Sequence, residues 1–141
     1  MADLNSLLLR LRMSLGDESS LIWSSARLEE SLRQALAAIN RAGGQAFTLN
    51  GLDGAVVTSL PAEFDLVLLL GATCIALRIR RIDRSEASLT AREVSPLLEE
   101  SLTCFEDQFQ TQLEAVRRQY LQAASQLPYA VPPEPDEGSS F

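Results

Sequence analysis

Residues 66–77 read LVLLLGATCIAL, and Ile79 carries the apolar run past Arg78. A helix that is apolar on nearly every face has no side to turn to water, so in a soluble chain it must be contacted on most sides. The run is 12 residues long before its first charge, short of the ~20 needed to cross a bilayer. It therefore reads as the central helix of a bundle. Gly71 and Ala72 at its middle permit another helix to come close. Upstream, Pro61 suits a first helical turn, where its missing N–H costs nothing, and Glu63 adds negative charge at the positive end of the helix dipole. The predicted helix runs from there to about residue 84.

Arg78, Arg80, Arg81 and Arg84 crowd the end of that helix. Placement at the negative end of the dipole, with Asp83 and Glu86 as local partners, accounts for them; an interaction patch is the other reading. As a phosphate site they are weak, because no aromatic side chain is interleaved. The chain as a whole has 19 acidic and 12 basic residues, a net charge of -7. That balance argues against a surface that wraps DNA or RNA, whose affinity comes from neutralising phosphates. It is compatible with a surface past which DNA slides without adhering.

Working outward, Leu4, Leu7, Leu8, Leu11 and Leu15 recur at steps of three and four, which predicts a first helix over residues 3–15 stopped by Gly16. Ser24 or Ser25 can cap a second helix that runs to about residue 42. Its inward face is Leu28, Leu32, Ala35, Leu36 and Ile39, and Arg27, Glu30, Arg33, Gln34 and Arg41 lie outside it. Glu29 and Arg33 form a four-residue pair that contributes a few tenths of a kcal/mol. Gly43 and Gly44 end the helix. On the other side, residues 85–95 are a polar connection that can begin helical at Ala87, and Ser95-Pro96 opens a last helix.

That last helix carries Leu98, Leu102, Phe105, Phe109, Leu113, Val116, Tyr120, Ala124 and Leu127. It is the longest element, about 30 residues or roughly 45 Å. The stripe reads as the seam of an intramolecular bundle, since two large aromatics fit poorly in a regular two-stranded coiled coil. Its length leaves part of it free to meet another subunit.

Two segments depart from helical patterning. Residues 45–59 hold Phe47-Thr48-Leu49, the turn dipeptides Asn50-Gly51 and Asp53-Gly54, and then Ala55-Val56-Val57-Thr58. Either dipeptide closes a β-hairpin, the preferred reading, with a long irregular loop as the alternative. An isolated hairpin is marginal in water, so it would lie on the helices or on a neighbouring chain. Residues 128–141 combine Pro128, Pro132, Pro133 and Pro135 with Glu134, Asp136 and Glu137, a composition that holds no helix. The expected organisation is a mostly α domain over 1–127, a bundle of about four helices with a hairpin or loop at 45–59, followed by an extended Pro-rich acidic tail over 128–141. Phe47, Leu49 and Val56 in the insertion, and Tyr129, Val131 and Phe141 in the tail, are the candidate partner-binding residues.

Chemistry has few places to reside. Histidine is absent, and acid–base or nucleophilic catalysis leans on it or on an activated nucleophile. No GxSxG elbow, no GxxxxGK[ST] loop and no GxGxxG occurs, and Gly43-Gly44 reads as a helix stop. Glu99, Glu100, Glu106 and Asp107 cluster on the long helix, where solvated charge is the plain reading and a metal-assisted carboxylate enzyme the sharper one. Cys74 and Cys104 are 30 residues apart and read as two buried free thiols of a reducing compartment. Without histidine or CxxC, a zinc site has no support. The expectation is a non-enzyme with no catalytic, metal or cofactor site. Arg10 and Arg12 break the early leucine run and no basic segment precedes it, which is not a signal-peptide pattern. The cytoplasm is the expected place of synthesis.

The order of these features resembles a known group. A short leading helix closes on Leu15-Gly16-Asp17; Trp23 precedes a helix ending Ala37-Ala38-Ile39-Asn40; a Gly-rich insertion leads to Leu60-Pro61-Ala62-Glu63 and an apolar helix; the last helix carries Tyr120. Over residues 3–125 this is similar to the small head-tail connector proteins of tailed bacteriophages, also called adaptor or neck proteins. The resemblance implies a structural role with no catalytic residues. Twelve copies would form a ring beneath the portal protein, continue the DNA channel without binding DNA specifically, and support the next neck or tail component. The implied location is the neck of the virion, assembled in the host cytoplasm, away from any membrane. The alternative, drawn from the stripe over residues 98–127, is a helical binding module such as a dimeric regulator or a chaperone-like partner.

Overall fold

The middle of the central helix is enclosed as its apolar faces require, whereas Leu66 at the start of the run is 71% exposed. The computed structural model describes residues 2–87 and 96–126, which form α1 (Leu4–Leu15), α2 (Ser25–Gly43), α3 (Asp65–Ala87) and α4 (Pro96–Gln126). α3 packs against each of the other three helices. All six residues over 71–76 are buried, so no side of α3 meets water at that level. Around it close Leu7 and Leu11 of α1, Leu28, Leu32 and Ile39 of α2, and Phe109 and Val116 of α4. Each fully buried side chain of this kind contributes roughly 1.5–3 kcal/mol relative to exposure.

Gly71 is a point of close approach. A Cβ there would lie 2.5 Å from the Phe109 ring and 3.0 Å from the Ala35 Cβ, so α2, α3 and α4 meet over bare backbone. Phe109 fills the space that a side chain would occupy.

Helix ends follow from local chemistry. Asp3 caps α1 by accepting the Ser6 N–H at 2.8 Å, and the Ser6 hydroxyl accepts the Asp3 N–H at 3.1 Å in return. Ser24 caps α2 by accepting the Arg27 N–H at 3.2 Å. Gly44 terminates it at φ 65, a left-handed conformation that costs glycine little. Pro61 leads into a short 3-10 turn, Ala62–Phe64, which runs directly into α3. The polar connection over 88–95 and the tail over 127–141 lie outside the described residues.

The β-hairpin over 45–59 does not form. No strand occurs among the described residues, and the segment is the long-loop alternative, with one isolated parallel bridge between Asp3 and Asn50. The two turn dipeptides, three residues apart, are the reason. Instead of closing one tight turn they make two in succession, with the Leu52 N–H donating to the Leu49 carbonyl at 3.0 Å and the Ala55 N–H to the Leu52 carbonyl at 3.1 Å. Hydroxyls then occupy places that a ladder gives to backbone. The Thr48 N–H donates to Ser59 Oγ at 2.8 Å and the Asn50 N–H to Thr58 Oγ1 at 3.0 Å, and Thr48 Oγ1 donates to the Val57 carbonyl at 2.8 Å.

Candidate assembly surface

The loop is irregular but firmly braced. Leu49, Leu52 and Leu60 are buried in the bundle core. At its base the Asn40 side chain acts as a surrogate peptide: Oδ1 accepts the Phe47 N–H at 2.8 Å and Nδ2 donates to the Phe47 carbonyl at 3.2 Å. Thr58 Oγ1 donates to the Ala2 carbonyl at 2.6 Å and the Leu4 N–H donates to the Asn50 carbonyl at 2.9 Å, tying the loop to the start of α1. Near the tip, Arg33 of α2 holds Asp53 at 2.9 Å and also pairs with Glu29 and Glu30. The carboxylates around it raise the Arg33 pKa above its ordinary value, the Asp53 hydrogen bonds most of all.

That bracing leaves two side chains outside. Val56 is 81% exposed and Val57 63%, side by side on a loop whose leucines, Leu49, Leu52 and Leu60, point inward. Phe47 is half-buried in a triad with Phe64 and Tyr120, with ring centroids 6.2–6.3 Å apart. Leu49 is 1% exposed and lies inside its own chain. Of the loop residues marked for partner binding, then, Val56 stands free, Phe47 is partly covered and Leu49 is core. Tyr129, Val131 and Phe141 lie outside the described residues.

Sequence reasoning overlooked a second set of outward apolar residues. Leu9 and Met13 sit four apart on the outer face of α1, and Leu21 projects from the α1–α2 connection. The connection is held by a buried ion pair. Asp17 accepts N–H groups from Leu21, Ile22 and Trp23 at 2.9–3.2 Å. Arg12 donates to Asp17 at 3.3 Å, to the Trp23 carbonyl at 2.9 Å and to Ser25 Oγ at 3.1 Å. These bonds hold the Asp17 carboxyl below its ordinary value, the Trp23 N–H chief among them. A signal was present: Arg12 falls four residues after Leu8 and three before Leu15, on the inward face, where a guanidinium needs a buried partner.

Two of the arginines near the end of α3 find acids on α4. Arg78 pairs with Glu106 at 2.8 Å and Arg81 with Glu99 at 3.3 Å, so two of the four clustered carboxylates serve the α3–α4 interface. The expected pair between Glu29 and Arg33 is present at 3.1 Å. Cys74 is buried as expected, and removal from water pushes its thiol up to about 11. Cys104 is a correction: it is free but exposed, because it lies off the stripe that α4 turns inward. Among the described residues no three His, Cys, Asp or Glu side chains gather into a metal-binding group, and no helix is long and apolar enough to cross a membrane.

Between α2 and α4 runs an open groove of about 790 Å³ over Ile75 and Phe109, joined to a smaller hollow of about 540 Å³ beside Tyr120 and Gly44. The two share Arg41, Ala42 and Arg117.

Compared with family models, with curated proteins and with solved structures, the chain finds no match in any of the three. The described residues form four helices and a braced loop.

Proposed function

We propose that the chain is a structural subunit that assembles with copies of itself, in the manner of a head-tail connector of a tailed bacteriophage. The observation that carries this reading is the loop tip: Val56 and Val57 are presented to solvent by a segment held at its base, middle and tip. Ordering a loop has an entropic cost of about 1–2 kcal/mol per residue. A rigid loop that offers apolar side chains to water makes physical sense when a partner covers them. The net charge of -7 supports a channel past which DNA moves without adhering. In this reading the ring sits between the portal protein and the next neck or tail component, in the virion.

The alternative, a dimeric helical binding module, drew on the α4 stripe. Leu102, Phe109 and Val116 are buried within the chain itself, which leaves the loop as the better-supported contact and favours the ring.

Electron microscopy and native mass measurement of the purified protein, alone and with a portal ring, test the proposal. The expected result is a closed oligomer, or a chain that joins the portal as a ring. A chain that stays monomeric at every concentration and ignores the portal would sink it.

A further inference from the structure

We propose that the groove between α2 and α4 is the docking site of this chain's own Pro-rich acidic tail, residues 127–141, which folds back along α4. The proposal does not depend on the ring reading. It starts from where the described chain ends. Leu121 lies on the rim of the smaller hollow, and Gln126 is five residues further on, ~7.5 Å along the helix axis. The tail thus leaves the helix at the mouth of the groove.

Length and composition both fit. An extended Pro-rich segment advances ~3.1 Å per residue, and the stretch of α4 from Gln126 back to Glu106 is ~30 Å long. The 15 residues beyond Gln126 span it with enough chain left to reverse direction. If residues 127–130 make that reversal, which Pro128 favours, Val131, Pro132 and Pro133 pass the half-buried Tyr120 ring. Docking of polyproline-type backbone on an aromatic wall is a recurrent recognition mode, because such a segment has little conformational entropy to lose. On the same spacing Gly138 and Ser139 come level with Phe109 and Phe141 reaches the far end of the deeper hollow.

Charge sets the register. Arg41 and Arg117 line both hollows, are exposed, and form no ion pair among the described residues. At ~3.1 Å per residue the same reversal brings Glu134 and Asp136 level with Arg117 and Arg41. Asp107 and Glu114 also border the deeper hollow, and Glu106 there is already neutralised by Arg78. The attraction is therefore local to the two free guanidiniums. Docking within one chain is favoured over docking between chains, since the covalent connection holds the tail at an effective concentration of order millimolar.

A nitroxide on Ser139→Cys in the full-length Cys104→Ser chain tests this; Cys74 is buried and escapes labelling. Docking predicts strong broadening of the amide signals of Ala38 and Gln110, with Leu9 of α1 unaffected, and no change on dilution. In the double variant Arg41→Glu and Arg117→Glu the broadening should fall several-fold while the helical circular dichroism is unchanged, as both side chains are exposed. Three results would overturn the proposal: no broadening at the groove, broadening that survives the double variant, or broadening seen only when labelled and isotope-enriched molecules are mixed. The last would assign the groove to the tail of a second copy.

Discussion

The segment over residues 66–77 and the loop over 45–61 are both ordered, yet they are ordered by different physics. The helix is held by apolar contact on every side at residues 71–76, an interaction without direction that tolerates any well-fitting side chain. The loop is anchored by Leu49, Leu52 and Leu60 in the core, and between those anchors it is held by named polar atoms, those of Asn40, Thr48, Thr58 and Ser59, bonded to particular backbone groups. The first kind of order leaves a periodic trace in sequence. The second leaves single residues whose roles depend on geometry.

The contrast can be tested by breaking each region in turn. Leu68→Ala removes a side chain with no exposure and should cost about 2–5 kcal/mol, through lost transfer energy and a cavity. Urea unfolding measures it, and a cost under 1 kcal/mol would mean that α3 is less enclosed than described. Gly71→Ala should come next. Its new methyl meets the Phe109 ring at 2.5 Å, so in spite of alanine's better helix propensity the bundle should lose about 1–3 kcal/mol. Shortening the ring with Phe109→Leu in the same chain should recover part of that loss.

On the loop side, Asn40→Ala leaves the Phe47 N–H and carbonyl without their partner and should cost about 1–2 kcal/mol. Hydrogen exchange should also speed up locally over residues 45–50, well ahead of α3. A Phe47 amide as protected as before would show that Asn40 is incidental.

Asp17 shares the loop's kind of order inside the bundle, and its effect appears only in acid. Its carboxyl titrates below the ordinary 3.8 in the folded chain, so the unfolded chain takes up the proton more readily. The stabilisation is complete above 3.8 and is lost as pH falls through the folded value. Asp17→Asn should therefore differ most from the parent chain near neutrality, and the gap in urea midpoint should close below about pH 4. The smallest expected effect on stability is that of Val56→Asp, within about 0.5 kcal/mol, because the side chain is 81% exposed. Sedimentation should nevertheless show that it weakens self-assembly.

Helix patterning made most of the fold legible. Steps of three and four placed α1, α2 and α4 within a residue or two of their observed bounds. The continuous run in α3 implied a neighbour on each side, which α1, α2 and α4 supply. The loop was misread because Asn-Gly and Asp-Gly each license a turn, and sequence cannot say whether one or both will be used. Leu49 reads from sequence as a candidate partner contact of the insertion, whereas Leu49 and Leu52 both turn inward across a turn. Leu9 and Met13 were hidden among the leucines and other apolar residues of α1, whose outer face is not uniformly polar. The buried Arg12 was noted only as an interruption, although its position in the repeat placed it inside.

The enclosure of α3 also bears on how the chain is made. Phe109 and Val116 of α4, which close over α3, are encoded 33 to 40 residues after Ala76. At ribosomal speeds that separation lasts about 2–8 seconds. During those seconds the nascent chain holds a helix with an open apolar flank and no later segment to cover it. Translation rate and holdase chaperones should therefore bear on the yield of this protein alongside its final stability.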